Sequence, residues 1–244
     1  MRELTTTAEL SDACDGDSLC LWVAQGLGAR GRAWAGEDAV LAAAPDISTR
    51  DRLAVWARSP EAAVELYREV APQLPRGFRP FGERRLIAAL AQATPGLEVV
   101  GHFGWMDTSA VSVSADPRAQ WLDESDAEDI ATVLDLAFPT SYARPGVPGV
   151  QRWAGVRDGA QLLVVGALAW SSPEVALVSG VAVTPEARGK GLGLTACSLL
   201  VDAALAEHGA VGLMVEDWNV PGQRLYQRLG LRRRAVSAAA FAQQ

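Results

Sequence analysis

Apolar residues in the first quarter of the chain fall in short runs, CLWVA at 20–24, AVLAAA at 39–44 and LAVWA at 53–57. Gly, Asp and Pro clusters separate them, which predicts three strands joined by turns across residues 19–57. The period then changes. Ser59 is placed to cap a helix and Pro60 suits its first turn, with Val64, Tyr67 and Val70 at helical spacing, so a helix is expected to end near Pro72. A second helical stretch at 83–92 precedes LEVVGHFGWM, whose β-branched and aromatic content predicts a strand. Together these make a small α+β unit, and the small polar segment at 108–118 marks the expected boundary, giving domains at 1–115 and 116–244.

Beyond the boundary, Ser125 or Asp126 can cap a helix with Ile130, Val133, Leu134 and Ala137 on one face. Strands at 152–157 and 161–170 meet at Asp158-Gly159, a hairpin turn dipeptide, and a further strand covers 175–183. Apolar positions 194, 197, 201 and 205 define a buried helix stopped by Gly209. A strand at 212–216, a short helix opened by Pro221 and closed by Gly230, and a last strand from Leu231 follow. The order is helix, three strands, helix, strand, helix, strand.

Charge and cysteine content narrow the function classes. A net charge of −7 argues against a nucleic-acid surface, which needs clustered cations, and the run Arg232, Arg233, Arg234 reads as a solvated strand edge. Cys14, Cys20 and Cys197 have neither disulfide-framework nor metal spacing, and His102 and His208 stand alone, so no metal is expected and a reducing cytoplasm fits. The polar, acidic start is unlike a signal peptide, and the charge-free stretch at 159–173 is shorter than the ~20 residues of a membrane span. No membrane or nucleic-acid partner is expected, and nothing indicates an oligomer.

The candidate chemistry lies in Val181-Ala-Val-Thr-Pro-Glu-Ala-Arg188-Gly-Lys-Gly-Leu-Gly193, where a strand passes through a glycine loop into a helix. Gly189, Gly191 and Gly193 allow close backbone approach, the helix N-terminus offers free N–H groups, and Arg188 and Lys190 add positive charge, a combination suited to a pyrophosphate. The spacing is neither that of a dinucleotide fingerprint nor that of a P-loop. A second segment, Val215-Glu-Asp-Trp-Asn219-Val-Pro-Gly-Gln-Arg-Leu-Tyr226-Gln-Arg-Leu-Gly230, follows about thirty residues on. In the first half, 26–31 is also glycine-rich, but no helix pattern follows it and it reads as a turn.

Together the two segments resemble the GNAT acyltransferase superfamily, with its V-x-P-x-x-R-G-x-G-x-G loop and its strand-N-x-x-A-x-x-L-Y-x-x-L-G-F segment, over roughly residues 118–244. The resemblance implies an α/β (α+β) fold with a mixed central sheet and flanking helices, in tandem with a degenerate, cofactor-free first copy. It implies acetyl-CoA or another acyl-CoA as co-substrate. The pyrophosphate would be held by Arg188, Gly189, Lys190, Gly191, Leu192 and Gly193, and the pantetheine by the main chain of Val181 and Val183 and by Asn219. Tyr226 would be the acid at the leaving thiolate, phenol and thiol pKa values of about 10 and 8.5 being close enough for transfer within a hydrogen bond. The expected reaction is transfer of an acyl group to a small-molecule amine by direct attack.

The base is a point of departure, since Leu177 stands where many members carry a carboxylate. Glu216 is the first candidate, acting through water, with Asp217, Glu174 and Ser179 nearby. Gly222 and Leu231 replace the family's usual Ala and Phe. A non-catalytic acyl-CoA-binding regulatory module, or an enzyme of this fold using a longer acyl or carrier-protein thioester, are the alternatives.

Overall fold

A computed structural model of the chain describes residues 1–110 and 114–242. The chain divides into two compact units, Met1–Trp105 with Arg234–Gln244, and Met106–Arg233. This differs from the boundary expected after residue 115 in two ways. Met106 is already buried in the second unit's core with Leu213 and Leu231, and the strand expected to end the second domain is assigned to the first unit. Residues 111–113 of the expected linker lie outside the described residues.

The first unit contains β1 (Arg2–Leu4), α1 (Thr7–Ala13), α2 (Ser18–Val23), β2 (Arg32–Ala35), β3 (Ala39–Ile47), β4 (Arg50–Ala57), α3 (Pro60–Val70), β5 (Arg79–Glu83), α4 (Arg84–Ala93) and most of β6 (Leu97–Thr108). Its sheet runs β1-β2-β3-β4-β5 and is extended beside β5 by β12 (Arg232–Phe241), which pairs antiparallel with Val236 opposite Glu83. The strand expected at CLWVA is instead helix α2. Asp17 accepts the Cys20 N–H at 2.9 Å, and a buried run this short has no periodicity to separate strand from helix, so the cap decides. Helix α1 was hidden in a polar segment, yet Thr6 and Glu9 form a full capping box there. Helix α3 begins as expected, with the Ser59 hydroxyl accepting the Ala62 N–H at 3.1 Å.

The second unit contains β7 (Gln120–Leu122), α5 (Ala127–Ala137), β8 (Val150–Asp158), β9 (Gln161–Ala169), β10 (Ala176–Val183), α6 (Leu192–His208), β11 (Val211–Glu216) and α7 (Val220–Arg228). Its sheet runs β11-β10-β9-β8-β7, antiparallel except for the parallel pair β10 and β11. Asp126, one of the two expected caps, is the N-cap residue of α5 but makes no side-chain bond to the helix; the side-chain cap is one turn earlier, at Asp123, which opens a 3-10 turn leading into α5. Asp126 and Asp129 also ion-pair with Arg157 of β8. Cys197, Leu200 and Val201 of α6 pack with Leu168, Val178 and Leu213 into the core that carries the sheet. No helix among the described residues is long and apolar enough to cross a membrane.

Apart from the extra helix α2 of the first unit, the two units repeat one order of elements, a helix, three antiparallel strands, a helix, a parallel strand and a helix. They differ at the parallel pair. In the first unit β4 and β5 pair at four consecutive positions, from Arg52 opposite Arg79 to Val55 opposite Gly82. A Cβ at Gly82 would lie 2.3 Å from the Val55 carbonyl oxygen, so glycine is what lets these strands close. In the second unit β10 and β11 pair only at Ala176–Val211 and Leu177–Gly212. Past Leu177 the facing edges have no strand partner among the described residues, and their peptide groups are left for a ligand or water.

Candidate functional site

At the open end of that pair, β10 carries a bulge. Ser179 faces Ala167 of β9 and Ala182 faces Val165, leaving one extra residue at Gly180 and Val181. Gly180 has φ +62°, and a Cβ there would meet both Ala143 and Trp153 at 3.1 Å. Ala143 and Trp153 thus close the bulge from the α5–β8 loop and β8, a role no sequence motif signalled. Val181 and Val183 are half-buried on this strand.

The loop after β10 makes one 3-10 turn at Pro185–Ala187 and then turns into α6 through Gly189 and Gly191, with φ +76° and +78°. Nothing lies within 4 Å of a Cβ built at either glycine, so the space above the loop is open. Gly193 differs, since a Cβ there would press on Leu225 at 3.0 Å, and it serves the packing of α6 on α7. Gly191 caps α6 without a side-chain bond, and the N–H groups of Leu192 and Gly193 have no acceptor among the described residues. Arg188 and Lys190 are exposed beside them, with Arg188 Nε 3.3 Å from the Val183 carbonyl. This cradle fits the diphosphate of a coenzyme A, by free N–H donors, two cations and absent side chains.

A clamp beneath the loop was not legible in the sequence. The Asp116 N–H donates to Ser198 Oγ at 2.9 Å, and Asp116 Oδ2 accepts from Thr195 Oγ1 at 3.2 Å. Arg118 reaches the same Thr195 hydroxyl at 3.1 Å, and its bond to Asp116 holds that carboxyl far below the usual range. Residues 116–118 are thereby tied to the first two turns of α6.

Tyr226 of α7 is buried in one apolar cluster with Val178, Leu213 and Val215 of the two strands and Cys197 of α6. Its hydroxyl makes no hydrogen bond among the described residues. Burial, with a smaller contribution from Cys197, pushes the phenol well above its ordinary range, so it keeps its proton at any working pH. Burial pushes the Cys197 thiol up to about 12, which makes it inert packing.

Asn219 is the N-cap of α7, with its Oδ1 accepting the Gly222 N–H at 3.0 Å. A Cβ at residue 222 would lie 2.6 Å from Asn219 Nδ2, which accounts for glycine where the family often has alanine. With Oδ1 engaged, Asn219 has its Nδ2 left to offer a ligand. Asn219→Ala is expected to lower stability by about 1 kcal/mol in urea denaturation, as for other lost N-caps.

Among the candidate bases, Glu216 ends β11 with an exposed carboxylate that has no ion pair among the described residues. Asp217 is ion-paired with Arg233 and so is neutralised in place. Gln223 Nε2 ties both residues to α7, through the Glu216 carbonyl at 3.1 Å and the Asp217 carbonyl at 3.0 Å. Glu174 lies before the start of β10, away from the bulge, whereas Ser179 adjoins it. Leu177 is fully buried core, and Trp218 is 79% exposed at the strand end. His208 bonds the Ser172 carbonyl and His102 the Ser237 hydroxyl, and no cluster able to hold a metal ion occurs among the described residues.

Residues 116–231 match the model of the acetyltransferase (GNAT) family. No curated protein matches the chain. Among solved structures, a GCN5-related N-acetyltransferase from Kribbella flavida superposes with TM-score 0.59 at 16% identity, covering 99% of this chain and 97% of its own. A Drosophila melanogaster protein gives 0.60 at 15% identity, covering 98% and 96%. An acetyltransferase of the GNAT family from Colwellia psychrerythraea gives 0.52 at 14% identity, covering 99% and 100%. At these identities the likeness is one of fold.

Proposed function

We propose, from the acetyltransferase (GNAT) family domain at residues 116–231, that this chain transfers an acetyl group from coenzyme A to the amine of a small molecule by direct attack. The observation that carries the reading is the parallel pair β10 and β11, joined at only two positions and opening beside an unobstructed glycine loop at a helix N-terminus. Acyl-CoA supplies an activated carbonyl and a thiolate leaving group. The N–H groups of Leu192 and Gly193, with Gly189, Gly191, Arg188 and Lys190, hold the diphosphate. The main chain of Val181 and Val183 and the Asn219 amide hold the pantetheine. Backbone N–H groups at the Gly180–Val181 bulge stabilise the negative charge that develops on the carbonyl oxygen.

Tyr226 keeps its proton until sulfur leaves. In the same dry surroundings the thiolate is itself less stable than in water, so both acids shift upward and a shared hydrogen bond can pass the proton. Glu216 removes the amine proton through water at the exposed strand end. Glu216→Gln is expected to slow transfer to an alkylamine, mostly protonated at neutral pH, by about a hundredfold. Transfer to an arylamine, already neutral, should be unchanged, and equal loss on both would assign Glu216 a structural role.

The test of the function is release of free thiol from acetyl-CoA in the presence of a panel of primary amines, with acylated amine identified by mass spectrometry. Amine-dependent release supports the proposal. Tight acetyl-CoA binding without turnover on any amine would favour the non-catalytic module, a reading to which buried Leu177 lends weight. Turnover of only long-chain or carrier-protein thioesters would reassign the donor.

A further inference from the structure

A cavity of about 380 Å³ lies within the first unit, between the exit of α3, the loop leading into β5 and the end of α4. Its walls are apolar, with Leu53, Leu74, Phe78 and Phe241 among them, and two cations line it, Arg68 and Arg76. No acidic residue lines it. Arg68 has no ion pair among the described residues, and Arg76 lies over the Phe241 ring at 5.2 Å. Tyr67, only 3% exposed, also lines the cavity, and its hydroxyl has no hydrogen-bond partner among the described residues. The ring is buried while the hydroxyl keeps contact with solvent, so it is open to a ligand or a water.

We propose that this cavity binds a small organic anion with a flat apolar body, an arylalkyl carboxylate. Arg68 and Arg76 meet the carboxylate, the Tyr67 hydroxyl donates to it, and the ring packs among Leu53, Phe78 and Phe241. The volume lies within the range of small-molecule sites, which combine apolar walls with a few placed polar groups. A helix C-terminus such as that of α3 repels anions, so the two guanidinium groups are what make the site selective for negative charge.

The cavity is not a residue of a coenzyme site. In the first unit the counterpart of the glycine loop is the Arg58–Pro60 turn entering α3, where β4 and β5 are closed; the cavity is at the opposite end of the same helix.

The test is calorimetric titration of the full chain with 3-phenylpropionate, its neutral amide and acetate. It is repeated on Arg68→Ala, Arg76→Ala and Tyr67→Phe, and on Gly191→Glu, which blocks the coenzyme loop. Binding of 3-phenylpropionate that persists in Gly191→Glu and weakens about tenfold in each arginine variant is expected, the loss of one charged hydrogen bond. The amide and acetate should bind at least about tenfold more weakly than 3-phenylpropionate, lacking the charge and the apolar body respectively. Arg68 and Arg76 are exposed, so these variants retain the fold, which circular dichroism checks. No binding at millimolar ligand, equal binding of acetate or of the amide, or insensitivity to both arginines would each overturn the proposal.

Discussion

Replacing Tyr226 with Phe is expected to lower kcat by about a thousandfold while leaving acetyl-CoA affinity and melting temperature nearly unchanged. The reasoning rests on what the hydroxyl does and does not touch. The ring packs in the core with Cys197, Val178 and Leu213, and phenylalanine keeps that packing. The hydroxyl has no hydrogen-bond partner among the described residues, so its removal breaks none of the bonds seen there. Its proton becomes useful only when negative charge forms on the departing sulfur. The checks are steady-state kinetics beside a thermal melt. A kcat within a fewfold of wild type would return Tyr226 to simple packing and give the leaving thiolate to water.

Gly191→Glu is expected to abolish the rise in melting temperature that acetyl-CoA gives the wild type, whereas Gly191→Ala should keep a reduced rise. Both variants carry a Cβ at φ +78°, a backbone conformation that costs an L-residue roughly 1–2 kcal/mol. Alanine therefore reports strain alone. Glutamate adds a carboxylate at the N-terminus of α6, where it takes the free N–H groups and repels the diphosphate. For scale, acetyl-CoA at a hundredfold over its Kd stabilises the native state by about 2.7 kcal/mol. Equal shifts in wild type and Gly191→Glu would remove the loop from the binding site.

The second unit was legible because its signals are local and redundant. Gly209 and Gly230 stop helices, Asp158-Gly159 turns a hairpin, and the loop from Val183 to Gly193 carries its geometry in its own glycines. The first unit was harder to read. CLWVA is buried at every position but Leu21, too little contrast for either period to show, and only the Asp17 cap distinguishes helix from strand. The clamp of Asp116 and Arg118 on Thr195 and Ser198 spans some eighty positions of sequence, and no spacing rule announces contacts so distant. The same holds for Ala143 and Trp153 over Gly180. The base remained open because a lone carboxylate at a strand end has no pattern, and the ion pair that removes Asp217 depends on Arg233 in the following strand.

The place of β12 beside β5 bears on how the polypeptide matures. While the chain is being made, α1 to α4 and β1 to β5 leave the ribosome long before residues 234–241 exist. The nascent first unit must therefore expose the edge of β5 until more than a hundred further residues have been synthesised. An uncovered strand edge of this kind invites pairing with other chains. A fragment ending near residue 105 is thus a poor candidate for expression alone. For the same reason, a cleavage ahead of β12 would leave the first unit's last strand held by pairing and packing alone.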